Sequence, residues 1–124
     1  MTTKLILIVD DDESIQTVVQ FGIQMATDWE VLIASSGPQG LKIAGDRSPD
    51  VILLDVMMPD MDGIATFKAL QSEPQTAQIP VIFLTAKAQT SERRQFNDLG
   101  VSGVITKPFN SLDLPDQISK MLDW

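Results

Sequence analysis

The sequence of 124 residues contains no cysteine, no histidine and no tyrosine. The absence of cysteine excludes disulfides and thiolate metal ligands. The absence of histidine excludes an imidazole base, an imidazole metal ligand and a phosphohistidine within this chain. Carboxylate and other oxygen ligands are therefore the main metal ligands that this sequence offers.

Basic residues and long apolar runs are also scarce. The chain has 9 Lys and Arg against 17 Asp and Glu, a net charge of −8, and this balance opposes direct binding to nucleic acid. No segment approaches the roughly 20 consecutive apolar residues of a membrane span. The apolar run near the N-terminus is too short for a signal peptide. We therefore expect a cytoplasmic protein that binds neither membrane nor nucleic acid directly.

Five short apolar runs predict the strands of one α/β domain spanning residues 1–124. They lie at residues 5–9, 31–34, 51–54, 81–84 and 101–106. Continuous apolar runs of this length are typical of strands buried on both faces, as in a parallel sheet. Apolar residues at helical spacing follow the runs, so helices are expected to cover both faces of the sheet.

Capping and proline residues predict several helix ends. Asp12 or Ser14 is the predicted N-cap of the first helix, and Asp62 is that of the third. The last helix is expected to start near Asp113, because Pro115 is tolerated only in a first turn. The fourth helix, residues 91–99, has few apolar residues, so we expect it to dock weakly and to be mobile.

Residues with polar or charged side chains end four of the five predicted strands. Asp10 and Asp11 follow the first strand, Asp55 the third, Thr85 the fourth and Lys107 the fifth. The carboxyl ends of parallel strands share one edge of the sheet, where open α/β folds bind ligands. We therefore expect these side chains to converge, with Asp55 as the reactive centre.

Three converging carboxylates repel one another. At about 4 Å and an effective dielectric constant near 20, each pair costs on the order of 4 kcal/mol. A divalent cation removes this cost, and an all-oxygen ligand set selects a hard ion such as Mg²⁺ or Mn²⁺. A cation, the Lys107 ammonium group and a hydroxyl around one carboxylate would form a clamp for a phosphoryl group.

These residues resemble the receiver domain of two-component response regulators over essentially the whole chain. The resemblance lies in the pair Asp10-Asp11, the D-V-M-M-P-D-M-D-G segment from Asp55, Thr85-Ala86 and Lys107-Pro108-Phe109. It implies a three-layer, flavodoxin-like (βα)5 fold with a five-stranded parallel sheet of order 2-1-3-4-5. It also implies a phosphorelay signalling switch rather than an enzyme.

The resemblance further implies a role for each site residue. Asp55 would accept a phosphoryl group from a phosphohistidine on a sensor histidine kinase or a histidine phosphotransfer protein. Lys107 would contact the acyl phosphate and precede Pro108 with a cis peptide bond. Thr85 would move towards the phosphoryl oxygens and change the surface around the fourth and fifth helices. The implied Mg²⁺ ligands are Asp10, Asp11, Asp55 and the backbone carbonyl of Met57.

One position departs from the family. Receiver domains usually have an aromatic residue three positions before the lysine, and it swings inward behind the moved threonine. Here that residue is Val104, whose β-branched side chain has no comparable pair of rotamers. We therefore expect a weakened or differently routed output. Met57 and Lys87 occupy the positions that tune phosphate lifetime in the family, and Met57 cannot orient water, which favours slow hydrolysis.

Three alternatives stay open at this point. Asp10, Asp12 and Ser14 form a D-x-D-x-S pattern similar to the nucleophile loop of haloacid-dehalogenase-type phosphatases, in which Asp10 would be the nucleophile. A flavin electron carrier of similar fold is disfavoured, because acids after the first strand would repel a phosphate. A phosphorylation-independent adaptor is the third alternative. The downstream target, homodimerisation and membership of a longer regulator with an output domain cannot be assigned from the sequence.

Overall fold

The computed structural model describes residues 3–86 and 90–124 and shows alternating strands and helices. The strands are β1 (Leu5–Val9), β2 (Glu30–Ala34), β3 (Val51–Asp55), β4 (Val81–Thr85) and β5 (Gly103–Thr106). The α-helices are α1 (Glu13–Ala26), α2 (Gly37–Arg47), α3 (Gly63–Ser72), α4 (Thr90–Leu99) and α5 (Leu114–Leu122), and a 3-10 helix (Ser111–Asp113) precedes α5. No helix within the described ranges is long and apolar enough to cross a bilayer.

The strands form one parallel sheet of order β2-β1-β3-β4-β5. This arrangement confirms the predicted flavodoxin-like fold and strand order. Val9 pairs with both Ala34 and Leu54, so β1, β2 and β3 end side by side. Thr85 pairs with Thr106 at the ends of β4 and β5. The register therefore gathers the residues at the ends of β3 and β4, and those just after β1 and β5, along one edge.

Successive residues of the central strands face two different halves of the core. Ile6, Ile8 and Leu53 are fully buried in the half that also contains residues of α1 and α5. Leu7 and Leu54 are fully buried in the other half, with residues of α2, α3 and α4. Burial on both faces explains why these strands are continuously apolar in the sequence.

Helix ends agree closely with the capping chemistry. Asp12 Oδ1 accepts a hydrogen bond from the Ser14 N–H at 2.9 Å, so Asp12 rather than Ser14 caps α1. Asp62 Oδ1 accepts from the Ala65 N–H at 2.8 Å and caps α3, as predicted. The 3-10 helix ends at Asp113, and α5 begins at the next residue, Leu114. Pro115 lies in the first turn of α5, where proline is tolerated.

The fifth strand is shorter than the apolar run predicted. Gly100 adopts φ +98° after α4, a conformation that glycine accommodates without steric cost. Residues 101–102 complete the turn into the sheet, and β5 begins at Gly103. The apolar character of Val101 reflects packing against the core on the α4 side rather than membership of the strand.

Helix α4 has a small buried face, in keeping with its composition. Among its described side chains only Phe96 is buried, at 4% exposed, and its ring meets that of Phe83 edge to face at 5.1 Å. Arg93 and Arg94 are exposed. The predicted mobility of α4 stays a prediction.

A matched pair of glycine substitutions tests how closely α1 packs on the 3-10 helix. A Cβ atom at Gly22 would overlap the backbone carbonyl of Ser111, whereas one at Gly45 in α2 would lie 3.6 Å from Gln75 Oε1. Gly45→Ala should stabilise the protein by up to about 1 kcal/mol through helix propensity. Gly22→Ala should instead destabilise it by about 1–3 kcal/mol, because backbone must shift. Urea unfolding measures both, and equal stability of the two variants would contradict this packing.

Candidate functional site

The predicted site residues lie at the carboxyl edge of the sheet, where backbone contacts fix their positions. Asp10 follows β1, and its N–H donates to the Ala34 carbonyl at the end of β2 at 3.0 Å. Asp55 is the last residue of β3. The Lys107 N–H donates to the Thr85 carbonyl at 2.8 Å, which continues the β4–β5 pairing. Sheet geometry, rather than local sequence, therefore brings these residues together.

Three carboxylates converge at this edge. Asp10 is fully buried, Asp55 is 4% exposed and Asp11 is exposed. One carboxylate oxygen from each lies within 4.8 Å of the others. They border an open pocket of about 230 Å³ whose lining also includes Asp12, Met57, Ala86 and Lys107.

Lys107 supplies the positive charge among these acids. Its Nζ atom donates to Asp10 Oδ2 at 2.9 Å and lies 3.3 Å from Asp55 Oδ1. The Lys107–Pro108 peptide bond is cis, as the family resemblance implied. The lysine thus bridges the two buried carboxylates from β1 and β3.

Burial and mutual repulsion shift the protonation of the site. Burial, and then the neighbouring Asp10 charge, raise the pKa of Asp55 to about 6, although Lys107 and the Met57 N–H at 3.2 Å oppose the shift. Burial alone would lower the pKa of Lys107, but its hydrogen bond to Asp10 and the two carboxylate charges raise it. At neutral pH the site therefore combines a protonated lysine with a carboxylate held in an unfavourable charged form.

The donor set fits a hard divalent cation. Three carboxylate oxygens within 4.8 Å of one another can share one ion, and oxygen ligands are those that Mg²⁺ and Mn²⁺ prefer. Lys107 offsets one of the three negative charges, and a cation would relieve the remaining repulsion that raises the pKa of Asp55.

Thr85 lies beside this pocket rather than in its lining. Its side chain is 1% exposed and borders a neighbouring cavity of about 530 Å³ between α3 and α4, which Met57 and Phe96 also line. Met57 belongs to both cavities, and its side chain is 56% exposed. Lys87, the other position expected to tune phosphate lifetime, lies outside the described residues.

Two residues that contact the site were not singled out from the sequence. Gln16 is 8% exposed in α1, and its Nε2 donates to the Asp10 carbonyl at 2.6 Å. A Cβ atom at Gly63 would overlap the Asp55 carbonyl and lie 2.7 Å from Val56 Cα, so α3 begins directly against the end of β3. A polar residue within the apolar face of α1 was the available signal for Gln16, and the Asp-Gly pair at the start of α3 was the signal for Gly63.

The raised pKa predicts how Asp55 affects stability in metal-free buffer. The folded state binds the proton of Asp55 more tightly than the unfolded chain, where the pKa is near 3.8, so ionisation destabilises the fold as pH rises from about 4 through 6. With EDTA at pH 7.5, Asp55→Asn should increase the free energy of unfolding by up to about 3 kcal/mol. The increase should vanish near pH 4.

Urea unfolding at both pH values checks this expectation. Asp46→Asn, an exposed substitution on α2, is the control and should change stability by less than about 0.5 kcal/mol at either pH. An Asp55→Asn variant no more stable than the wild-type protein at pH 7.5 would contradict the proposed electrostatic strain.

Comparison with known sequences agrees with this geometry. The family model of the response regulator receiver domain matches residues 6–119. The alkaline phosphatase synthesis transcriptional regulatory protein PhoP of Bacillus subtilis is 37% identical over 119 residues, which are 96% of this chain and 48% of PhoP. The transcriptional regulatory protein CpxR of Escherichia coli is 40% identical over 117 residues, 94% of this chain and 48% of CpxR. The chain thus spans about half the length of the curated relatives it matches.

Comparison with solved structures identifies response regulators of the same fold. The chemotaxis response regulator CheY4 of Vibrio cholerae has a TM-score of 0.88 and 32% sequence identity, covering 97% of this chain and 99% of the CheY4 chain. A response regulator of Chloroflexus aurantiacus has a TM-score of 0.88 at 28% identity. By its sequence match, its strand order and its acidic site, this chain belongs to the receiver domain family of two-component response regulators, which act in phosphorylation-based signalling.

Proposed function

We propose that this chain is a phosphorylation-controlled switch in which Asp55 accepts a phosphoryl group from a phosphohistidine on a partner protein. The observation that supports this most directly is the convergence of three carboxylates and Lys107 around the end of β3. Response regulators take phosphate from histidine kinases and act on downstream targets. These 124 residues contain no histidine, so a phosphohistidine donor must lie outside them.

In the proposed transfer, an ionised Asp55 oxygen attacks the phosphorus atom of the donor. The new oxygen–phosphorus bond replaces the nitrogen–phosphorus bond of the phosphohistidine, whose electron pair stays on the imidazole nitrogen. Lys107, 3.3 Å from Asp55 Oδ1, pairs with a phosphoryl oxygen as negative charge gathers there. Water later attacks the phosphorus atom of the acyl phosphate, which breaks the bond between phosphorus and Asp55, releases inorganic phosphate and a proton, and restores the Asp55 carboxylate.

A divalent cation would complete the charge balance. The residues that would hold it are Asp10, Asp11, Asp55 and the Met57 backbone carbonyl. Bound Mg²⁺, or Mn²⁺ in its place, supplies positive charge to the oxygens of the transferred group. Asp10 is already held by Lys107 and by the Asp12 N–H at 2.9 Å, so its carboxylate is in position before any ion binds.

We further propose that Thr85 and Lys107 couple phosphorylation to the surface around α4 and α5. Phosphorylation adds about 1.5 to 2 negative charges, which attract a hydroxyl group within reach. Thr85 ends β4 next to Asp55, and the cavity that it borders lies against Phe96 of α4. Because the buried face of α4 is small, a shift of this helix is expected to cost little.

The partners proposed are a histidine kinase or histidine phosphotransfer protein and a downstream protein target or output domain. The net charge of −8 argues against a nucleic-acid contact by this chain itself. PhoP and CpxR are named as transcriptional regulators, but the chain spans only 48% of each.

Phosphorylation by a small-molecule donor tests the proposal. Acetyl phosphate with Mg²⁺ should add one phosphoryl group, about 80 Da, to the wild-type protein at Asp55. Asp55→Asn should stay unmodified, and EDTA should prevent labelling of the wild type. Intact-mass spectrometry followed by peptide mapping measures the product.

The same experiment separates the alternatives. Modification at Asp10 rather than Asp55 would favour a haloacid-dehalogenase-like phosphatase. Absence of labelling, together with a Tm that Mg²⁺ and beryllofluoride leave unchanged, would favour an adaptor that kept the fold without the chemistry. Either result would overturn the proposed switch.

Val104 leads to a prediction about the output. It is half-buried, pairs with Phe83 across the β4–β5 ladder and packs in the half of the core on the α4 side. In crystals with and without beryllofluoride, the Val104 side chain should keep its position, because it has no alternative rotamer of comparable reach. Movement of Thr85 in the same crystals is the internal control. A large displacement of Val104 would contradict the proposal that phosphorylation affects α4 without movement of this side chain.

A further inference from the structure

The structure assigns to Gln16 the role of a positioning residue, which sets the orientation of Asp10 and Asp11 for cation binding. This inference rests on the proposed function of the acidic site. Gln16 lies in α1, outside the pocket lining, and acts through the backbone of Asp10 rather than on the ion.

Every polar group of Asp10 has a defined partner. Its N–H donates to the Ala34 carbonyl at 3.0 Å, and its carbonyl accepts from Gln16 Nε2 at 2.6 Å. Its carboxylate oxygens accept from the Asp12 N–H and from Lys107 Nζ, each at 2.9 Å. Of these four contacts, the one to Gln16 is the only one made by a side chain to the backbone of Asp10.

The contact to the carbonyl matters because it fixes a peptide plane between two of the proposed ligands. The Asp10 carbonyl and the Asp11 N–H belong to one planar unit. Rotation of this unit would turn the Cα–Cβ directions of Asp10 and Asp11 relative to each other. By holding the carbonyl, Gln16 keeps the exposed Asp11 carboxylate directed to the same side as the buried Asp10 carboxylate.

Gln16 is itself held in one orientation. The same Nε2 atom donates to Ser35 Oγ at 3.1 Å, and the Ser35 N–H donates to Gln39 Oε1 at 2.7 Å. Because a carbonyl can only accept, the amide nitrogen of Gln16 must face Asp10. The loop between β2 and α2 therefore supports the Gln16 amide, which supports the acidic loop after β1.

Packing alone does not account for a glutamine at this position. Gln16 lies on the face of α1 that also buries Val19 and Ile23, where methionine of similar length would fill the space. Among the described residues, the Gln16 amide is the hydrogen-bond donor to the carbonyl of Asp10, a residue that is fully buried. Partners that orient metal-binding groups in this way typically change metal affinity by about 10- to 100-fold when removed.

Gln16→Met tests the inference, because it keeps side-chain length and helix propensity while removing the donor. The Mg²⁺ dissociation constant, measured by isothermal titration calorimetry and by the Mg²⁺ dependence of Tm, should rise at least about tenfold. At saturating Mg²⁺, the rate of acetyl phosphate labelling should return to near the wild-type value, since the chemical groups are intact.

Thr76→Val is the matched control. Thr76 Oγ1 donates to the Leu70 carbonyl at 2.6 Å, and Thr76 is 4% exposed, so the variant also removes a buried side-chain-to-backbone hydrogen bond. This site lies between α3 and β4, at the opposite edge of the sheet from the acids. Thr76→Val should lower Tm to a similar extent but leave the Mg²⁺ dissociation constant unchanged.

Each outcome decides between the proposals. A wild-type protein that fails to bind Mg²⁺ would overturn the proposed function itself. Normal Mg²⁺ affinity in Gln16→Met, or equally weakened affinity in Thr76→Val, would overturn only the role of Gln16. If Gln16→Met does not fold, Ser35→Ala provides the test. Ser35→Ala removes the exposed hydroxyl that accepts a hydrogen bond from the Gln16 amide. The Mg²⁺ affinity of this variant should lie measurably below that of the wild type, and unchanged affinity would overturn the inference.

Discussion

The repulsion among Asp10, Asp11 and Asp55 is the constraint on which the site depends. With their oxygens within 4.8 Å and one lysine between the two buried members, the group has a net charge of two negative. One divalent cation would neutralise this residual charge. We propose that a bound cation would offset this residual charge, and that Lys107 and the cation would then hold an incoming phosphoryl group.

The fold supplies the stability that such a strained edge requires. All five residues of β3 are buried, including Asp55, and the strand is covered by helices on both faces. Burial of apolar side chains along β1, β3 and β4 contributes far more free energy than a few kcal/mol of carboxylate repulsion can remove. Asp10 and Asp55 are buried at the ends of β1 and β3, so these two carboxylates cannot separate without disturbing the core and their repulsion is retained.

The convergence of the acidic residues and Lys107 was predicted correctly from the sequence because it follows from where the strands end. Continuous apolar runs indicate parallel strands, and parallel strands bring Asp10, Asp55 and Lys107 to one edge whatever their separation along the chain. The role of Gln16 could not be predicted in this way. Its contacts to Asp10 and Ser35 depend on how α1 lies against two loops, which periodicity does not specify. The pKa of Asp55 likewise depends on burial, which no local pattern of residues gives.

Hydrogen bonds connect the acidic edge to α4 and offer the proposed switch a route that does not use the side chain at position 104. The Thr85 carbonyl accepts from the Lys107 N–H, so the strand ends that flank the acids are joined by backbone. Thr106, the residue before Lys107, accepts from Arg93 Nη2 of α4 at 3.0 Å. In the proposed switch, a displacement of Thr85 or Lys107 would reach α4 through these hydrogen bonds at the end of β5. Rotation of a buried aromatic ring is one way to report such a displacement, but the geometry of this edge does not require it.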